Sequence, residues 1–177
     1  MPQPKGLKML RPLALLAAAS LLSAPAFAQD YPKLRPGLWD LTKSSDRPND
    51  PGQRTSICLD ESLQKEMYQS GLGTMSGMCS KHEFHLKGSR GDAEFICNIG
   101  ANTMHSKSVM TIDGDTAYRT EIDTTFEPPL NGQAHTHSTL VARHTGACKP
   151  GQRPGDMILP NGRSINMRDA MGGGQRK

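Results

Sequence analysis

No apolar run in this 177-residue chain is long enough to cross a bilayer. The longest, Leu13 to Leu22, stops well short of the roughly 20 residues that a spanning helix needs, and Pro25 and polar chain follow it. Aromatic residues are scarce as well, with one Trp, three Tyr and four Phe, so any core is lean and covalent bracing would help it. A strong charge of one sign is also missing. The formal net charge is +4, from 21 basic and 17 acidic residues. Three of the basic residues, Lys5, Lys8 and Arg11, and none of the acidic ones fall within residues 1–28, so beyond that segment 18 face 17. That balance leaves no electrostatic footprint for nucleic acid or an anionic membrane. The glycine-rich stretch Gly71 to Met78 lacks the Gly-Lys-Ser/Thr end of a phosphate-binding loop, and there is no Gly-x-Ser-x-Gly.

What is present at the start of the chain favours a cleavable signal over a retained membrane anchor. Positive charges, a short apolar run and the small-x-small triplet Ala26-Phe27-Ala28 form a secretory signal peptide over residues 1–28, cleaved after Ala28. The expected product is periplasmic or secreted, with no stable membrane insertion after cleavage: a single β-rich domain over 29–170 and a disordered Gly-rich tail over 171–177. Cys58, Cys79, Cys97 and Cys148 all lie in the mature part, where disulfides persist, and their long irregular gaps do not suit zinc. Four cysteines allow three pairings. A hairpin centred on Gly88 sets Cys79 against Cys97, which leaves Cys58 for Cys148 and closes a loop worth roughly 4–5 kcal/mol in the chain-entropy picture.

Alternation of apolar and polar residues predicts strands at Leu34–Thr42, Arg54–Cys58, His82–Lys87, Asp92–Asn98, Met104–Ile112, Thr116–Phe126 and Ala134–His144. Trp39 and Leu41 share one face, as do Tyr118, Ile122 and Phe126, while Arg119, Glu121 and Asp123 take a wet one. Asp60 as N-cap, Leu59, Leu63 and Met67 at helical spacing and a stop at Ser70-Gly71 predict one helix over 60–70, followed by a mobile connector. Pro128-Pro129 and Asn131-Gly132 break the chain before the last strand, and Met157 to Met167 can close a small hairpin on Asn161-Gly162. The fold class is therefore mainly β: an antiparallel meander of about seven strands, curved or half-barrel, packed on one α-helix.

Candidate chemistry is thin. His135 and His137, two apart on a strand, project from one face and with His105 from a neighbouring strand are the candidate metal ligands. The same face carries Thr139, Val141 and Arg143 and is the solvent side, where histidines need no special role. His82 and His85 are three apart on a strand and point to opposite faces, unlike the i, i+4 pair of a zinc protease helix. Ser108 and Ser138 sit mid-strand, Asp113 and Asp115 belong to a turn, and Glu121 and Asp123 belong to a wet face, so none forms an activated nucleophile or an acid–base pair. Met75 and Met78 flank Cys79 as thioethers suited to copper(I), although gap-filling in a lean core accounts for most of the methionines.

Gly37-Leu38-Trp39, Cys58-Leu59, Gly114-Asp115-Thr116-Ala117-Tyr118 and Gly146-Ala147-Cys148-Lys149-Pro150-Gly151 together resemble the bacterial secreted proteins grouped as domain of unknown function 3617. The resemblance spans nearly the whole mature region, with Asp40 where members often have Glu. It implies an early G-x-W strand, a Cys-Leu step into a helix and a late cysteine after a strand, and it brings no activity, cofactor or catalytic residue. The G-x-W strand, the meander and two disulfides are also similar to a lipocalin, which would imply a carrier for a small apolar ligand, although the helix falls after the second strand and not near the C-terminus. The expectation is an exported, non-enzymatic binding or interaction module without cofactor, acting on an unknown protein or small ligand. The alternatives are a lipocalin-like apolar-ligand carrier and a histidine-based metal-binding protein.

Overall fold

The computed structural model describes residues 31–172, with the backbone alone at 70–76 and 170–172. The expected signal segment 1–28 with its cleavage point, and residues 173–177 of the expected tail, lie outside the described residues. Nine strands form one open antiparallel sheet: β1 (Gly37–Ser45), β2 (Gln53–Leu59), β3 (Cys79–Lys87), β4 (Arg90–Ile99), β5 (Asn102–Asp113), β6 (Ala117–Leu130), β7 (Gln133–Gly146), β8 (Asp156–Ile158) and β9 (Ser164–Asn166). Helix α1 (Glu61–Met78) joins β2 to β3, and α2 (Met167–Gly172) follows β9.

The spatial order is β3-β4-β5-β6-β7-β1-β2-β8-β9, and the sheet does not close into a barrel. β3 to β7 form the expected meander. The β1–β2 hairpin does not head that meander but docks on its far side, against β7. This placement corrects the helix boundary. β2 and β3 stand six strand spacings apart, about 29 Å at ~4.8 Å each, and the 18 residues of α1 cover about 27 Å. A helix ending at Ser70-Gly71 would leave the chain half-way across. Glycine disfavours a helix interior by about 1 kcal/mol relative to alanine but does not forbid it, so the stretch expected to be a connector is helical. Asp60 caps α1 as its side chain predicts, with Oδ1 accepting from the Leu63 amide at 2.7 Å.

Strand alternation puts one face of the sheet against α1. The buried cluster there is Trp39, Ile57, Leu59, Leu63 and Ala142. Trp39 lies opposite Ile57 on one side and His144 on the other, and Leu41, Ala142 and Tyr118 form one row across three strands. Trp39 is completely buried, and its indole Nε1 donates to the Arg35 carbonyl at 2.8 Å. Gly37 permits the tight β1–β7 approach: a Cβ there would overlap the Gly146 carbonyl and the His144 ring, and its φ of +137° favours glycine.

Pro128 and Pro129 do not end β6 as expected. They sit where the β6–β7 ladder is interrupted between Thr125 and Leu130, and beyond the last β5 partner at Glu127, so no ladder bond is lost for want of their amide hydrogens. Asn131 and Gly132, both at positive φ, make the two-residue turn into β7. The terminal hairpin forms as β8–β9. The α2 turn beyond it had no sequence signal, and it extends two residues into the segment expected to be a disordered tail. Arg168 ties α2 to α1 through Glu66 at 2.7 Å and Asp60 at 3.3 Å. Cys79 lies opposite Cys97 in the β3–β4 register and is bonded to it, and Cys58 at the end of β2 is bonded to Cys148 just beyond β7.

Candidate functional site

Whereas His144 packs against Trp39 on the helix-bearing side, the face away from α1 carries the three candidate metal ligands. His135 and His137 share it, but His105 stands two strands away, in the row His105, Thr125, His135, with β6 between them. Each ring is engaged by a carboxylate. His105 Nε2 meets Glu94 at 2.8 Å, His137 meets Asp123 through Nδ1 at 2.9 Å and Glu121 through Nε2 at 3.1 Å, and His135 stands 3.5 Å from Asp123. The hydrogen bond to Asp123, with Glu121 on the other nitrogen, holds the His137 imidazole above its ordinary 6.5. Lys81 and then His105 hold Glu94 down at about 2. The chemistry is that of an ion-paired wet face. Among the described residues no three His, Cys, Asp or Glu side chains are grouped to hold a metal ion. Met78 is exposed, and the Met75 side chain lies outside the described residues.

The helix-bearing face is different. Between α1, the segment 31–36 and strands β5 and β6 lies a pocket of about 150 Å³ lined by Tyr31, Pro32, Leu34, Leu59, Gln64, Met67, Tyr68, Met110 and Tyr118. The chain has three tyrosines in all, and every one of them is in this lining. They arrive from separate elements. Tyr68 extends from α1 one position past Met67, Tyr118 is the second residue of β6 and lies on the helix-facing side, and Tyr31 is delivered by a segment whose path is fixed at three points. The Gln64 amide brackets Leu34, accepting from its N–H and donating to its carbonyl, both at 2.9 Å. Arg35 clasps Asp115 through two nitrogens, and the Trp39 indole holds the Arg35 carbonyl.

The rings are ordered against one another. Tyr31 and Tyr68 stack at 5.7 Å between centroids, Tyr68 meets Phe84 edge-on at 5.8 Å, and Tyr118 lies 6.0 Å from Trp39. Burial pushes the hydroxyls of Tyr68 and Tyr118 above the ordinary tyrosine value, so both stay protonated donors. Tyr68 Oη is buried and has no hydrogen-bond partner among the described residues, and neither has Thr120 Oγ1, which neighbours Met110 across the β5–β6 ladder. An uncompensated buried hydroxyl costs about 1–3 kcal/mol.

A family model described as a protein of unknown function, DUF3617, matches residues 34–148. The chain belongs to this family. The DUF3617 match starts at Leu34 and ends at Cys148, so it includes β1 to β7, α1 and all four cysteines, while Tyr31 and the β8–β9 hairpin lie outside it. No curated protein and no solved structure matches the chain. The family description carries no activity, and the site must be judged from its own side chains. A larger depression of about 660 Å³ lies elsewhere, on β1, β2 and β8 beside the turn after Ile158. Its strand-borne polar residues Asp40, Thr42, Arg54 and Ser56 belong to the solvent side of the sheet, and it gathers neither aromatic rings nor unpaired buried groups. The tyrosine pocket has both.

No residue of this pocket was a candidate ligand contact on sequence grounds. Tyr118 is legible as an inward strand residue, and Tyr68 borders the Leu63–Met67 stripe, but Tyr31 has no periodic neighbour to mark it.

Proposed function

We propose that the chain is an exported binding protein that holds a small apolar ligand between α1 and the sheet. The observation that carries this reading is the convergence of all three tyrosines, from positions 31, 68 and 118, on one apolar pocket. Tyrosine supplies a large, stiff contact area with a polar tip and is enriched where ligands and partners bind. Two disulfides in a chain that opens with a signal-like segment support an oxidising compartment. The absence of an activated nucleophile or acid–base pair from the pocket supports binding over catalysis. The architecture departs from the lipocalin alternative in a way that matters for cargo: the sheet is open and a helix crosses it, so the ligand sits at the edge of the helix–sheet seam and not inside a barrel.

The test is native mass spectrometry of the protein purified from its own host, beside a Met110→Trp variant that fills the pocket. A retained small molecule that disappears in the variant supports the reading. Retention unchanged by Met110→Trp, or no retained molecule together with no binding of any apolar probe, overturns it.

A further inference from the structure

We propose that β3 pairs edge to edge with the β3 of a second copy of the chain, in the antiparallel register that sets Glu83 against Lys87 and Phe84 against Leu86 of that copy.

The two edges of the open sheet are unequal. β9 at one end has three residues and is followed at once by α2, whereas β3 at the other has nine, contains no proline and carries its one irregularity at the start, between Cys79 and Lys81. Among the described residues, no backbone–backbone hydrogen bond joins residues 80–87 to anything but β4. Proteins shorten, cover or blunt an edge of that length, because its unpaired amides and carbonyls template pairing with another chain. β3 has mainly its charges for that purpose, and they are of both signs.

The β3–β4 turn fixes which backbone groups face outward. Lys87 and Arg90 close a two-residue turn with Gly88 in its first position at a φ of +60°. The pair flanking such a turn is hydrogen-bonded, and bonded and non-bonded pairs alternate away from it. The amides and carbonyls of Leu86, Phe84 and His82 therefore point away from β4, and a second β3 must set even-numbered residues against even-numbered ones to reach them. Side chains then keep their faces. Phe84, edge-on to Tyr68 of α1, stays with Leu86 on the helix-bearing side, and Lys81, Glu83, His85 and Lys87 stay on the outer one.

Charge chooses among the registers that remain, since like charges directly opposite are destabilising. With Phe84 opposite itself, Lys81 meets Lys87 twice; with Phe84 opposite His82, Glu83 meets Glu83. With Phe84 opposite Ser80, Lys81 meets Glu83, but Lys81 is already held by Glu94 at 2.6 Å. With Leu86 opposite itself, a single bonded pair is left before the turn. Phe84 opposite Leu86 gives two bonded pairs, two apolar contacts and two Glu83–Lys87 ion pairs related by the dyad. Both ions are free to take part. Lys87 is exposed and has no ion partner among the described residues, and Glu83 has there only Lys81 at 3.5 Å, the cation that Glu94 holds more closely.

The test uses the full chain, expressed with its own leader in a bacterial host and purified with its disulfides intact. Sedimentation equilibrium at low salt covers about 10 μM to 1 mM, the range of weak association. The pH is held near 8, above the usual histidine range, because His85 faces its own counterpart at the dyad. The parent should dimerise with concentration. Glu83→Lys and Lys87→Glu should each weaken the dimer about tenfold, because two attractive pairs become repulsive. Mixing the two variants should restore it, since one then offers two cations where the other offers two anions. Both substitutions lie at exposed edge positions, and an unchanged melting temperature shows that each variant is folded. Amide exchange at Phe84 and Leu86 should slow as the parent is concentrated, while His85, whose amide already faces β4, should not change. A parent that stays monomeric at 1 mM overturns the proposal, as does a dimer indifferent to either charge reversal or a failure of the mixed variants to associate. Protection of the Phe84 and Leu86 amides that appears only with another polypeptide added marks a foreign strand as the occupant and overturns it as well.

Discussion

Leu63→Ala tests whether α1 is held to the sheet by one anchor. Leu63 is completely buried and packs into the cluster of Trp39, Ile57, Leu59 and Ala142. Helix propensity changes little, because alanine and leucine are both good helix formers, so the cost is the lost transfer energy plus the cavity left behind. Leu→Ala substitutions in well-packed cores cost about 2.7–5 kcal/mol, least where the surroundings can collapse. Here Ile57, Trp39 and Ala142 sit on three adjacent hydrogen-bonded strands, which cannot move inward without breaking ladders. The expected loss is therefore in the upper half of that range, about 4 kcal/mol, or roughly 8–16 °C in melting temperature for a domain of this size. Urea and thermal unfolding with the disulfides intact, followed by Trp39 emission, measure it directly. Leu63→Met is the volume-conserving control and should cost less than about 1.5 kcal/mol. A loss below about 1.5 kcal/mol for Leu63→Ala, or an equal loss for both variants, would refute the anchoring argument.

Removing the long-range bridge with Cys58→Ser and Cys148→Ser together should cost about 4–5 kcal/mol, given the sequence separation of 90; non-reducing peptide mapping checks the pairing, and recovery of a Cys58–Cys79 peptide would contradict it. The pH dependence of stability should have two limbs set by the outer face. The raised His137 group contributes fully below its unfolded value of about 6.5 and loses that contribution as pH climbs through its higher folded value, so a His137→Gln variant should differ most from the parent near pH 6 and least near pH 9 in melting scans. Glu94 acts in the opposite sense, its share being present above about 4.5 and lost as pH falls towards its folded value of about 2, so Glu94→Gln should flatten the acid limb. Gly77→Ala should stabilise by up to about 1 kcal/mol, because a Cβ there meets nothing within 4 Å and alanine favours the helix; a lower melting temperature would show that the end of α1 needs glycine.

What could be read from the sequence was what short-range physics determines. A period of two placed Trp39, Leu41, Tyr118, Leu140 and Ala142 on the face they occupy, because a one-residue slip would send every one of them into water. Asp60 was recognisable as a cap because the cap is made with Leu63, three residues on. The symmetry of Cys79 and Cys97 about Gly88 is a property of one hairpin. The length of α1 is not local: Gly71, Gly73 and Gly77 argue against a helix there, and only the position of β3 six strands from β2 overrules them. Arg168 meeting Glu66, and β6 intervening between His105 and His135, depend in the same way on strand order that no local pattern encodes.

The pocket is the extreme case of that dependence, and the scarcity of aromatics explains why it still points to function. A chain poor in large side chains would be expected to bury those it has, and it does so with Trp39. Tyr118 packs against the same cluster, but Tyr31 is treated differently. Tyr31 lies on a segment that precedes the first strand and contributes no ladder, yet that segment is held by the Gln64 amide, the Arg35–Asp115 pair and the Trp39 indole. If these contacts served packing alone, Tyr68 would be worth more as phenylalanine, since its buried hydroxyl costs energy and bonds to nothing. That hydroxyl lies out of reach of a molecule in the pocket's open space, so Tyr68→Phe should hold or raise the melting temperature, and it is Met110→Trp that separates a packing role from a binding one: packing predicts a change in stability alone, whereas binding predicts loss of the retained molecule.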